Sequence, residues 1–287
     1  GGAGLLAATP VGAGIFALPY LFEKAGWLIG IFYLAVLSAI LIIVHYLYWQ
    51  TLARLKGKSR LLGLTREYLG RNVFHAGFFI IVGGLILILV VYLILIGQFL
   101  RLIFPQLSFM EGILIFWLFA SLPLVLKLRR LVGLEFLGAA LMAAIIIFVF
   151  GTGWHGIEFN NISVFNPQNF FLPFGAILFS LAGWTAIEPI FDWAKRTGNR
   201  APSSSLVLLI LASGTLVSAL LYFLFVTGIF GSAREITPDT LSGLANWPLW
   251  KTEILAWLGI IGVWTSYVPI SLEVKNSLEK DLALPAG

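Results

Sequence analysis

Apolar residues run through this chain in long blocks separated by short polar stretches. Eight blocks can be counted, at roughly 4–22, 27–49, 74–100, 110–126, 131–151, 171–193, 204–228 and 252–274. A helix needs about 20 apolar residues to cross a bilayer, so the pattern predicts eight membrane-spanning helices. The longer polar stretches, 51–72 and 229–250, are too short for separate domains, and residues 1–287 read as a single transmembrane domain. Tyr46, Tyr48 and Trp49 gather at the end of the second block, where aromatic rings suit the membrane interface. In the 229–250 stretch, Thr237 reads as an N-cap with Pro238 at the first helical position, which predicts a short helix there. That helix serves either as a lid or as an ordinary surface connection.

Composition agrees with the pattern. Of the 287 residues, 60% are hydrophobic and only 11% charged, against about 25% charged in soluble domains; the mean hydropathy is +0.98. The chain is therefore expected to be an all-α polytopic membrane protein in contact with the lipid bilayer. Its net charge of +5 does not point to nucleic acid, because the basic residues lie in short loops between apolar blocks. If the blocks alternate across a membrane, 14 of the 18 Lys and Arg residues fall on one side and only Lys24, Arg101, Arg234 and Lys251 on the other. Cytoplasmic loops carry the excess. This places the N-terminus in the cytoplasm, in a multi-pass protein of the cell (inner) membrane. Zero cysteines exclude disulfides and thiolate metal sites. His45, His75 and His155 sit at block ends without a second ligand at helical spacing, so no transition metal is expected.

Two blocks are poorly made for continuous helices. The first contains Pro10, Gly12, Gly14 and Pro19. Glycine costs roughly 1 kcal/mol relative to alanine in a helix interior, and proline about 3 kcal/mol. The sixth holds Gly183 among Ser180, Ala182 and Thr185, with Pro189 further on. Hydrocarbon tolerates freed amides and carbonyls only where protein or a water-lined cavity satisfies them. Glycines can also serve simple close packing of helices. Yet the two interrupted blocks are five apart, and five is odd, so a repeat of that length is inverted in the membrane. Paired interrupted segments in inverted halves point to a midplane binding site.

The run Gly12-Ala13-Gly14-Ile15-Phe16-Ala17-Leu18-Pro19-Tyr20, followed by Ala25-Gly26-Trp27, resembles the opening signature of the amino acid/auxin permease family, within the amino acid–polyamine–organocation superfamily. Phe179-Ser180-Leu181-Ala182-Gly183-Trp184 with Glu188-Pro189 is similar to the broken sixth helix of bacterial members, and Trp264-Thr265-Ser266-Tyr267 to a hydroxyl pair in their eighth. The resemblance implies a LeuT-like inverted-repeat helical bundle. Residues 1–151 would form the first five-helix repeat and 171–287 an incomplete second one, truncated after eight transmembrane helices. It also implies secondary active transport of amino acids by alternating access.

An amino acid zwitterion needs two opposite partners. At the first break its carboxylate would meet the N–H groups of Ala13, Gly14 and Ile15 beyond Gly12, since a helix start favours anions. Its ammonium would meet carbonyls around Thr9, Pro10 and Val11, and those of Ser180 and Leu181. Its side chain would lie against Phe179 and Trp184, with room left by Ala182 and Gly183. Tyr92 would touch the carboxylate or cap a freed carbonyl. No organic cofactor is implied. A sodium ion would take the carbonyls of Ala8 and Val11 with the hydroxyls of Thr265 and Ser266, although such hydroxyls also bond within their own helix. The alternative coupling ion is a proton, for which Glu188 is the candidate carboxylate.

Two other function classes are weighed against transport. A membrane-embedded enzyme needs clustered polar residues at one interface, and the sequence offers none. A non-transporting amino acid sensor of the same fold carries the same motifs.

Overall fold

The computed structural model of the chain describes residues 12–54, 61–126, 131–158, 162–197, 203–238, 240–244 and 247–281. Apolar surroundings force backbone groups to bond within their own segment, and the described residues accordingly form helices and no strand. A 3-10 turn, Ala13–Ala17, leads into α1 (Leu18–Ala25). Then follow α2 (Trp27–Arg54), α3 (Leu61–Leu69), α4 (Arg71–Ile103), α5 (Phe109–Leu126) and α6 (Leu131–Gly153). The second half holds α7 (Leu172–Leu181), α8 (Ile187–Thr197), α9 (Ser204–Phe230) and α10 (Leu249–Asn276).

Among the described residues, six helical stretches are long and apolar enough to cross a membrane: α2, α4, most of α6, the α7–α8 pair, α9 and α10. The apolar part of α5 is shorter, Phe109–Leu124. Large apolar side chains point outward along them, such as Phe79, Ile80 and Leu87 on α4 and Leu209 on α9. In water that surface would drive aggregation; against lipid it is the solvated face. The protein is therefore a multi-pass membrane protein.

The first segment lies at the centre of the bundle. Ile15, Leu18 and Phe22 are buried with Phe99 of α4, Phe225 of α9 and Val263 of α10. The Phe16 ring packs 4.9 Å from Phe99 and 5.6 Å from Phe225, centroid to centroid. The strongest helix pairings are α4 with α10, α9 with α6, and α4 with α5.

Loops gather at alternate ends of the bundle. At one end Trp27 N–H donates to the Ser163 carbonyl and Asn166 N–H to that of Ala25, while Gly153 of α6 abuts Gly228 of α9. At the other end Leu61 N–H reaches Glu188, and Lys275 Nζ donates to the Leu124 carbonyl.

Two loop expectations change. The 51–72 stretch is not all loop: it contains α3, which buries Leu62 and Leu64. Among the described residues Thr237 opens no helix at Pro238; its hydroxyl instead accepts the N–H of Gly243, and a 3-10 turn forms at Ser242–Leu244. The reason is tertiary. Thr240, at φ +60, turns inward and donates its hydroxyl to the Phe16 carbonyl, drawing the loop down onto the first segment.

Candidate functional site

The sixth block is interrupted, and in the first block the described helix begins only beyond Gly12. Gly12 is extended, at φ −130 and ψ −160, and only a 3-10 turn separates it from α1. In the sixth block α7 stops at Leu181; Ala182 and Gly183 are not helical, and a 3-10 turn at Trp184–Ala186 precedes α8. The first segment leads from its break toward the end where the 163–166 loop meets Ala25, and α7 starts from that same end. The two segments therefore run antiparallel.

The breaks face each other. A Cβ placed on Gly14 would lie 2.6 Å from Ser180 Oγ and 3.5 Å from the Phe179 ring. A Cβ on Gly12 would overlap Ser266 Oγ and lie 3.5 Å from Tyr92 Oη. Gly262 lets α10 approach, since a Cβ there would stand 3.5 Å from the Gly12 carbonyl carbon. Beside these contacts is a cavity of about 70 Å³ lined by Gly14, Tyr92, Phe179, Ser180, Ala182, Trp184 and Ser266, with Leu85, Ile88, Thr185 and Ile270 completing the wall.

The hydroxyls of Ser180 and Ser266 are buried and have no hydrogen-bond partner among the described residues, although Ser266 lies near the Tyr92 phenol. A buried polar atom without a partner costs roughly 1–3 kcal/mol. Here two such atoms line one cavity.

Other predicted residues are placed as follows. Ala8, Thr9, Pro10 and Val11 lie outside the described residues. Ala13 begins the 3-10 turn, and Gly183 is buried in the second break. Ile15 differs from expectation: its N–H bonds the Gly12 carbonyl at 3.3 Å and its side chain belongs to the core. The Ser180 carbonyl accepts the Tyr222 hydroxyl, and the Leu181 carbonyl accepts Gly183 N–H at 2.8 Å. Each keeps a second lone pair. The Thr265 hydroxyl turns to its own helix, 2.9 Å from the Ile261 carbonyl and 3.2 Å from that of Gly262. Glu188 is not among the described residues lining the cavity; it accepts Tyr48 Oη and, at 3.3 Å, Leu61 N–H. Lys195 stands 4.3 Å over the Phe191 ring. Among the described residues no three His, Cys, Asp or Glu side chains group as a metal would need.

Sequence reasoning missed Tyr222 and Thr240. Tyr222 caps the Ser180 carbonyl beside the second break, and Thr240 caps the Phe16 carbonyl in the first segment. A lone tyrosine hydroxyl at depth needs a partner, which is a signal for Tyr222; Thr240 gives none, because its partner lies 224 positions away.

The profile of a family described as transmembrane amino acid transporter protein matches residues 2–263. The chain belongs to the transmembrane amino acid transporter family. No curated protein matches it. The match runs through the first break, the sixth-block break and α10 as far as Val263. The transmembrane amino acid transporter family is one of transporters.

Proposed function

We propose that the protein is a secondary active amino acid permease working by alternating access, with its substrate held between the two helix breaks. The observation that carries this reading is the meeting of Gly14 with Ser180 beside a cavity whose serine hydroxyls lack a partner among the described residues. The substrate carboxylate sits at the backbone N–H groups of Ala13 and Gly14. The ammonium takes the second lone pairs of the Ser180 and Leu181 carbonyls, with the Ser180 hydroxyl as a further acceptor. The chain crosses the membrane eight times as two inverted repeats, residues 1–151 and 171–287, and the end richest in Lys and Arg faces the cytoplasm. The antiparallel run of the two broken segments supports the inversion.

Coupling rests on sodium or on a proton. A sodium ion would use Ser266, which faces Gly12, and would require Thr265 to leave the carbonyls of Ile261 and Gly262. A proton would use Glu188. Uptake in proteoliposomes tests the whole reading: saturable amino acid accumulation that collapses with the ion gradient is expected, and Gly14→Leu should abolish binding. Undiminished affinity in Gly14→Leu would remove the site. Binding without uptake would assign the protein as a sensor instead. Sodium dependence lost in both Ser266→Ala and Thr265→Val assigns sodium; sodium-independent uptake whose pH response is lost in Glu188→Gln assigns the proton.

A further inference from the structure

We infer that this permease selects small, uncharged amino acids, of the size of glycine, alanine and serine. The inference rests on the site proposed above and concerns what its wall admits.

The first argument is charge. Among the described residues that line the cavity none is acidic or basic; they supply apolar side chains, glycine and hydroxyls. An ionised group taken out of water without a counter-charge is strongly disfavoured. The α-carboxylate and α-ammonium escape this penalty at the opened backbone of the two breaks, where peptide dipoles of both signs are available. A lysine, arginine, glutamate or aspartate side chain has no such partner in the cavity lining.

The second argument is volume. A cavity of roughly 150 Å³ in an apolar core holds a benzene molecule. The space here is about 70 Å³, under half of that, so a phenyl or indole group does not fit beside the zwitterion. Phe179 sets this limit at the first break, with its ring 3.5 Å from the Cβ position of Gly14, and Trp184 closes the same cavity from the second break.

The third argument is the pair of buried hydroxyls on Ser180 of α7 and Ser266 of α10, which have no hydrogen-bond partner among the described residues beyond the Tyr92 phenol near Ser266. They come from two different elements and face one cavity. They offer short-range bonds to a compact polar solute, whereas a bulky aliphatic chain would bury them unsatisfied.

The test is direct binding to the purified full chain in lipid nanodiscs, by titration with glycine, alanine, serine, leucine, phenylalanine, lysine and glutamate. Glycine, alanine and serine should bind at least tenfold more tightly than the other four. Phe179→Ala should narrow the gap between leucine and alanine by tenfold or more, without admitting lysine or glutamate. Phenylalanine, lysine or glutamate binding as tightly as alanine would overturn the inference; loss of that same binding in Gly14→Leu would show the permease reading intact. Absence of binding by any amino acid would overturn both.

Discussion

Gly14 lies against Ser180: a Cβ built on the glycine would stand 2.6 Å from the serine Oγ. The serine hydroxyl is a light, rotatable group, so Gly14→Ala can be absorbed by turning it aside. Its melting temperature in detergent should stay within a few degrees of wild type, in keeping with a stability change under about 1 kcal/mol. Amino acid affinity should nevertheless fall at least tenfold, because the new methyl enters the cavity. A Gly14→Ala protein that binds normally would show the close approach to be packing alone.

Ser180→Ala separates cost from use. The Ser180 hydroxyl is buried without a partner among the described residues, and removing an unsatisfied group is neutral or stabilising by up to about 1 kcal/mol. Unliganded stability should therefore hold or rise. Affinity for amino acid should drop about fivefold to tenfold, the loss of roughly one hydrogen bond. Ser266→Ala should follow the same pattern, and thermal melts with and without substrate read both signs together.

Tyr222→Phe removes the donor to the Ser180 carbonyl. The carbonyl is then left with no side-chain partner beside the break, which costs about 1–3 kcal/mol. The melting temperature should fall, and substrate affinity should fall with it, since Ser180 is displaced. A Tyr222→Phe protein with unaltered melting would show that water takes the donor's place.

Thr240→Ala breaks the hydroxyl bond to the Phe16 carbonyl. A loss of about 1–3 kcal/mol is expected, together with faster proteolysis in the loop between α9 and α10, whose Leu244 would leave the core. Limited proteolysis of membrane-embedded protein gives the readout.

Gly26→Ala tests the turn after α1. Gly26 has φ +97, and a Cβ there would stand 2.7 Å from Phe165 N and from the Val164 carbonyl oxygen. The backbone strain alone is of the order of 1–3 kcal/mol, and the neighbouring groups are backbone that cannot step aside. The substitution should impair folded yield far more than Gly84→Ala in α4, where nothing lies within 4 Å of the added atom.

These relationships were unevenly written in the sequence. Helices such as α2, α4 and α9 follow from hydropathy, because lipid demands about 20 apolar residues whatever the neighbours are. The break at Gly183 and the late helix start beyond Gly12 were also visible, since glycine in a helix interior carries an intrinsic cost. The α3 helix was not, having only Leu62 and Leu64 to bury among polar neighbours. The walls Leu85 and Ile88 were hidden in a uniformly apolar run, where no periodic contrast separates a cavity-facing side chain from a lipid-facing one. Thr237 misled because its capping chemistry is local, whereas the course of that loop is fixed by Thr240 reaching Phe16.

The two capped carbonyls, Ser180 under Tyr222 and Phe16 under Thr240, mean that neither interruption waits for a guest in order to be stable. The receptacle stands ready-made. Loading it should release little heat-capacity change, since scant apolar surface remains to be dried, and should leave amide hydrogen exchange in the surrounding helices nearly as slow before occupancy as after.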